Sequence, residues 1–313
     1  LVNEPVSSGE TYEFYNGSRS LGMGGARIAV VNDETALFDN PAGLGKLRDS
    51  FITIVDPELE INSNTQSTFQ SAGLGDILTP QGLLEALRGK PDDRYHAKAQ
   101  IFPSIVIPNF GIGFHMKYST DAVLNSTTNL FELNYFNDYA FLLGYNFRLL
   151  DGVVKIGFNM KYINRVEIRK TDIDPTSTNL TISNLASEGG GVGSDIGLIL
   201  TAPWVYLPTL SAVVRDVGTT QFNLNNGILL GNTAENPMPL RQKIDVAFAL
   251  FPILGKSNRM TLTGEFRDIT DVEEEKAPSR RMHAGLEFNF GDCFFIRGGM
   301  NQIYWTAGFE LRD

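Results

Sequence analysis

Nowhere does this 313-residue chain carry an apolar run near the ~20 residues that a membrane helix requires, so a helical membrane protein is excluded. A mean hydropathy of -0.10 does not extend that exclusion to membrane barrels, whose lipid-facing residues alternate with polar ones. Cysteine is nearly absent: Cys293 stands alone, which rules out an intramolecular disulfide and a zinc cluster. Histidine is scarce too. His96, His115 and His283 lie far apart without metal-ligand spacing, so no metal and no cofactor are expected. Basic residues are in deficit, 26 against 36 acidic ones, and the net charge of -10 removes nucleic acid as a partner, since phosphate binding along a strand needs a basic face. No leader is legible at Leu1; an exported chain numbered after cleavage and a chain never exported both read this way.

What is present is a substantial apolar share, 42%, with 31 Gly and 21 Phe, a balance that suits strands and tight turns. From about Asn109 onward apolar and polar residues alternate. Phe110, Ile112, Phe114, Met116 and Tyr118 alternate with Gly111, Gly113, His115, Lys117 and Ser119. The split recurs through Tyr139, Phe141, Leu143, Tyr145 and Phe147, through Val154 to Tyr162, and through Met282 to Phe290 and Trp305 to Leu311. Such runs have the ~9 to 11 residues that cross a bilayer when tilted, longer than a soluble strand. Their polar face mixes Gly, Ala, Asn and Thr with isolated charges, as where side chains crowd a lumen. Thirteen runs are read: 51–62, 97–107, 109–120, 128–136, 138–148, 152–169, 192–201, 208–216, 241–251, 258–268, 281–290, 293–300 and 302–312. Because barrels favour an even count, twelve or fourteen are expected. Short turns (Pro108-Asn109, Asp151-Gly152, 255–258, Gly291-Asp292) alternate with longer polar stretches at 172–191, 223–239 and 271–279. One stretch predicts a helix, Pro80 to Gly89 with Thr79 as cap, placed in the lumen, at the membrane interface or at a subunit contact.

Candidate chemistry reads as structural. Gly22-Met23-Gly24-Gly25 lacks the Lys-Ser/Thr ending of a phosphate loop, and Asn32, Asp33 and Glu34 lack the recurring oxygens of a calcium loop. Lys117, Arg148, Lys155, Asp245, Glu265, Arg267, Glu287 and Arg297 fall on the polar phase and are expected to face the lumen and pair with one another. His115 and His283 share that phase and are expected to be satisfied hydrogen-bonding groups. Phe114, Phe141, Phe147, Phe158, Phe288 and Phe309 are expected to face lipid. No nucleophile elbow or catalytic triad is present, so no catalytic residue and no enzyme are expected.

The first fifty residues do not alternate. Gly17-Ser18-Arg19-Ser20-Leu21-Gly22-Met23-Gly24-Gly25-Ala26, Ala29 to Glu34, and Asp39-Asn40-Pro41-Ala42-Gly43-Leu44 follow in an order that resembles the entry segment of FadL-like and PorV-like outer-membrane proteins. Ala212 to Thr220, Arg297 to Gln302 and Thr306 to Phe309 look like the closing strands of TraF-like barrels of the same superfamily. The chain departs from the pattern in being shorter than typical FadL-like transporters and in ending Leu311-Arg312-Asp313 rather than on an aromatic. The resemblance implies an all-β transmembrane antiparallel β-barrel of about 12 to 14 strands, with residues 1–48 as a hatch and 49–313 as the wall. Gly22, Gly24, Gly25, Asp33, Glu34, Asn40 and Pro41 would shape the hatch, and deleting Ser18 to Leu44 is expected to leave a folded barrel. It also implies a bacterial outer-membrane protein handling lipid or hydrophobic molecules. Phe131, Phe136, Phe141, Phe147, Phe288 and Phe290 suggest aromatic surface for a homo-oligomer that holds lipid. Alternatives are a PorV-like scaffold for exported proteins, docking through 172–191 and 223–239, and a small-solute porin.

Overall fold

The computed structural model describes residues 14–71, 73–231, 235–272 and 277–312. Alternation becomes a single antiparallel sheet of fifteen strands. They are β1 (Phe51–Thr53), β2 (Glu58–Ile61), β3 (Tyr95–Ile101), β4 (Ser104–Ile107), β5 (Phe110–Asn125), β6 (Leu130–Leu149), β7 (Val154–Ile173) and β8 (Ser187–Thr201). The remainder are β9 (Thr209–Arg215), β10 (Lys243–Leu250), β11 (Ile253–Leu254), β12 (Asn258–Phe266), β13 (Met282–Phe290), β14 (Phe294–Asn301) and β15 (Tyr304–Leu311). Three continue a predecessor across a break holding a proline: β2 after Pro57, β4 after Pro103 and β11 after Pro252. Twelve wall positions result, in a large antiparallel β-barrel. No helix among the described residues is long and apolar enough to cross a membrane.

The runs at 128–136 and 138–148 are one strand, β6, which brings thirteen to twelve. Asn137 separates the two runs in the sequence, but the ladder continues through it, and Asp138 beside it is fully buried on the inward phase against Arg165 of β7. The polar stretch at 172–191 also shortens, because β7 extends to Ile173 and β8 begins at Ser187. Parts of the stretches at 223–239 and 271–279, residues 1–13 of the expected hatch, and Asp313 lie outside the described residues. The short turns take left-handed backbone where the sequence supplies Asn, Asp or Gly: Asn109 at φ 68, Gly152 at φ 87, Gly255 at φ 83 and Asp292 at φ 60.

The wall is uneven. Strands β5 to β8 run 15 to 20 residues, whereas β9, β10 and β12 to β15 run 7 to 9. Helices lie within and beside it: α1 (Ser18–Gly22), α2 (Ala36–Asp39), α3 (Ser63–Ser71), α4 (Leu74–Ile77), α5 (Pro80–Arg88) and α6 (Ile182–Leu185). α5 is capped by the Thr79 hydroxyl, which accepts from Gly82 N at 3.2 Å. Its Leu83, Leu84 and Leu87 are buried against Ala122, Leu124, Phe131, Leu133, Val166 and Ile168. Ala122 and Leu124 keep the phase of the outward-facing Phe114 and Met116 along an unshifted ladder. α5 therefore covers the outer face of the long strands and does not plug the lumen, each leucine contributing about 2 kcal/mol of burial. Phe131 lies under this cover, fully buried, and Phe136 points inward beneath the guanidiniums of Arg165 and Arg169 at 5.5 and 5.0 Å. Neither belongs to the outward aromatic surface expected of them.

Among the described residues no ladder joins β15 to β1 or β2. Side-chain exposure marks this seam. Outward residues inside the sheet, such as Phe114, Phe141 and Phe158, are 40 to 45% exposed; Trp305 and Phe309 on β15 and Leu59 on β2 reach 86, 78 and 81%. A missing neighbour strand on one side accounts for the difference.

Candidate functional site

Residues 14–47 run through the interior of the barrel, and the wall is cut to receive them. Inward glycines occur where this segment's backbone passes. A side chain at Gly285 would meet Met23 O at 2.6 Å, one at Gly308 would meet Gly22 Cα at 3.1 Å, and Gly157 and Gly197 face Pro41 and Asn40 with no room for a Cβ. The reverse holds for Gly24 (φ 64), where an added side chain would stand 2.5 Å from Ala284 O and 2.6 Å from Met300 O. Gly22 ends α1 against Arg297, and Gly25 offers its carbonyl to Arg267.

Polar groups fasten the segment. Asn40 is fully buried and donates to Ile28 O and Ser211 Oγ at 2.9 and 2.8 Å, while its own oxygen caps the 3-10 turn Pro41–Lys46 at Ala42 N. Asp33 binds Arg19 at 3.2 Å and caps Thr35. Glu34 is half-buried beside it, and burial, then the Asp33 charge, push its carboxyl up to about 7. From the wall, Glu265 accepts from Arg27 N and Ile28 N at 2.7 and 3.0 Å and from Arg267. Glu287 takes Arg19 at 3.0 Å and Arg297 at 2.6 Å, and Arg297 also reaches Glu310. Asp245 accepts from Arg215, whose other nitrogens reach Phe38 O and Asp39 O at 2.8 and 3.1 Å. Lys117 donates to Phe14 O at 3.3 Å.

Several groups at work here carry a signal that the sequence reading passed over. Asp138 and Arg165 form a bidentate pair with no exposure on either side, and Lys161 sits between Asp195 at 2.9 Å and Asp216 at 3.0 Å. All of them stand on the polar phase of their strands or just past its end. Arg27 pairs with Asp39 at 2.9 Å inside the segment itself. His283 bonds Gly24 O at 2.9 Å. His115 departs from expectation: it is fully buried with neither ring nitrogen hydrogen-bonded, boxed by Phe14, Tyr15, Phe38 and Phe102 at 5.0 to 6.3 Å.

Arg148 and Lys155 depart from the expected pairing as well. Arg148 is exposed at the short-turn rim with no carboxylate partner among the described residues, and Lys155 donates to the Gly152 carbonyl. Both line a cavity of about 1630 Å3 that opens at this rim, with the N-terminal segment as its floor and apolar walls at Val30, Val31, Leu47, Val205, Phe251 and Phe295. The cavity also reaches Phe51 and Asp56, where the ladder between the first two wall positions is interrupted at residues 54–57 opposite 101–103.

On the outside, Phe114, Phe141, Phe147, Phe158 and Phe309 are exposed and Phe288 is half-buried between neighbours. Tyr145, Phe147 and Phe158 cluster with centroids 5.0 to 6.2 Å apart, and Phe288, Phe290 and Phe294 form a stacked row.

No family model and no curated protein matches the chain. Among solved structures it is similar to the "CymD monoaromatic hydrocarbon channel", with a TM-score of 0.51 at 10% identity, over 95% of this chain and 84% of that one. The likeness is one of fold, a β-barrel.

Proposed function

We propose that the chain is a non-enzymatic outer-membrane barrel that handles lipid or other hydrophobic molecules, with residues 14–47 filling its lumen. The observation that carries the reading is the contrast between the two faces of the wall. Outside, exposed Phe, Leu, Ile and Val form an apolar surface that water would penalise by ~25 cal/mol per Å2 and lipid would not. Inside, away from the short-turn rim, most charges are paired and the segment is bolted to them, which leaves little room for a wide aqueous pore. The half-apolar cavity and the wall interruption beside Asp56 suit an apolar solute better than a sugar. The fold likeness to a barrel named as a monoaromatic hydrocarbon channel agrees with this reading. The aromatic clusters at Phe147 and Phe288 are surfaces on which further copies would pack and hold lipid between them.

Proteoliposomes test it. Barrel-bearing vesicles should take up toluene faster than empty ones and should not swell in small sugars. Swelling in sugars without faster toluene entry would establish the small-solute porin instead, and a monodisperse detergent-free preparation would remove the membrane reading altogether.

A further inference from the structure

The cavity segregates its charges. Arg19, Arg27, Arg259, Arg297 and Arg312 each have a carboxylate partner, at Asp33 and Glu287, Asp39, Asp292, Glu287, and Glu310. Four other lining cations, Lys46, Arg48, Arg148 and Lys155, have none among the described residues. Arg148 and Lys155 stand directly opposite each other across the β6–β7 hairpin, a register at which like charges repel. Their heads converge on Gly152: Lys155 donates to its carbonyl, and the space beside its Cα holds the Arg148 guanidinium. Asp151, in the same turn, pairs with neither, and its left-handed φ of 54 belongs to the turn geometry. Lys46 approaches from the N-terminal segment, one proton given to Ala29 O at 3.2 Å and its charge 5.3 Å from the Phe251 ring.

We propose that Lys46, Arg148 and Lys155, with Arg48 at the rim, form a binding site for a phosphoryl group. Repelling cations with no carboxylate in ion-pair reach, only the charge of Asp33 acting on Lys46 from further off, are a cost to folding, and a compact, multiply charged anion removes it. The donors suit such a ligand. Arg148 keeps its planar fork free, and each lysine has two N–H groups left after its carbonyl bond, enough to meet several phosphoryl oxygens. Burial and the charges of Arg19 and Lys155 push the Lys46 ammonium down to about 7, and an anion beside it would bring it back up. The site lies at a rim bearing the exposed apolar tip Leu149 and Leu150, so the phosphoryl group belongs either to free phosphate in the cavity or to a lipid headgroup at the edge.

The test uses the whole chain in uncharged detergent, at low ionic strength without phosphate. Inorganic phosphate is titrated by calorimetry, and thermal stability is compared in nanodiscs of phosphatidylglycerol and of phosphatidylcholine. Binding of inorganic phosphate assigns the site to the free anion, and stabilisation by phosphatidylglycerol alone assigns it to the headgroup. In either case Arg148→Gln or Lys155→Gln should weaken the effect about tenfold, one lost charge-assisted bond. Arg259→Gln, which removes a cation already paired with Asp292, should leave it unchanged. Without ligand, Arg148→Gln should be as stable as the parent or more so, since it relieves repulsion. The proposal fails if neither probe acts, if Arg259→Gln weakens binding as much as Arg148→Gln, or if the ligand-free Arg148→Gln and Lys155→Gln proteins are both less stable than the parent.

Discussion

Gly285 and Gly264 sit on neighbouring strands, β13 and β12, and adding one methyl group to each should have opposite effects. Gly285 faces inward. A Cβ there would stand 2.6 Å from Met23 O and 3.0 Å from Met23 Cβ, about 1 Å inside the ~3.5 Å at which non-bonded atoms rest. The neighbour cannot swing away, because Met23 O already accepts from Ala26 N and the next residue, Gly24, is wedged between β13 and β14. Gly285→Ala must then push backbone against backbone, at the ~1 to 3 kcal/mol typical of overpacking. Gly264 faces outward with nothing within 4 Å of the same methyl group. Gly264→Ala should therefore gain about 0.5 to 1 kcal/mol by restricting the unfolded chain. The two variants should differ by about 1.5 to 4 kcal/mol, or roughly 10- to 700-fold in the unfolding equilibrium. Guanidinium unfolding in lipid vesicles, read by tryptophan fluorescence, measures the gap. Equal midpoints would mean that Met23 does not lie against β13, and the account of the filled lumen would fall with it.

Arg165→Met should destabilise the barrel by about 3 to 5 kcal/mol because it strands Asp138 in a site with no exposure, and Arg165→Met with Asp138→Leu should recover most of the loss in the same unfolding assay. Glu188 accepts backbone N–H groups from Ile228, Leu229, Leu230 and Gly231, so Glu188→Ala should open residues 224–231 to limited proteolysis while the core of the barrel resists it. Glu34 has a folded-state pKa raised to about 7, so the folded state holds its proton more tightly than the unfolded one. Stability should rise as pH falls from about 7 towards the ordinary carboxylate range, and Glu34→Gln should flatten that slope.

The wall was legible because a strand with two different faces writes its period directly into the sequence. Phe114 and Lys117 declare their sides without help from the rest of the chain. Contacts between distant segments leave no such trace. Gly285 on the polar phase reads the same whether it faces a void or the backbone of Met23, and only the folded path brings the two together. Phe131 has the outward phase, yet α5, more than forty residues earlier, covers it; phase separates in from out but does not tell lipid from a helix laid on the wall. Asp138 was passed over for a different reason. It heads the run 138–148, and its partner Arg165 belongs to another strand, so the local sequence does not tell a charge with a buried partner from one at a solvated strand end. Arg148 and Lys155 carried the most information. Their inward phase and hairpin register were readable, but the sequence also places Asp151 in the turn between them, and only the folded turn leaves it paired with neither.

The N-terminal segment was expected to be dispensable to the wall, and its contacts argue for the opposite outcome. α1 begins on one side of the seam, where Ser18 N donates to Glu58 of β2 at 2.7 Å. It ends on the other side, with Arg19 on Glu287 of β13 and Gly24 N on Thr306 of β15 at 3.0 Å. The helix thus ties the first wall position to the last across the place where no ladder joins them among the described residues. Removing residues 14–47 would also strip Glu265 of the Arg27 and Ile28 N–H groups and Glu287 of Arg19, and would leave Arg215 and Arg267 without the carbonyls of Phe38, Asp39 and Gly25, at about 1.5 to 3 kcal/mol for each lost charge-assisted bond. The truncated chain should give little or no heat-modifiable folded band after refolding into vesicles, while supplying residues 14–47 as a separate peptide should restore part of it. A truncated chain that folds to the same yield and unfolds at the same guanidinium concentration as the parent would show that the wall closes by itself and that the segment is only a filling.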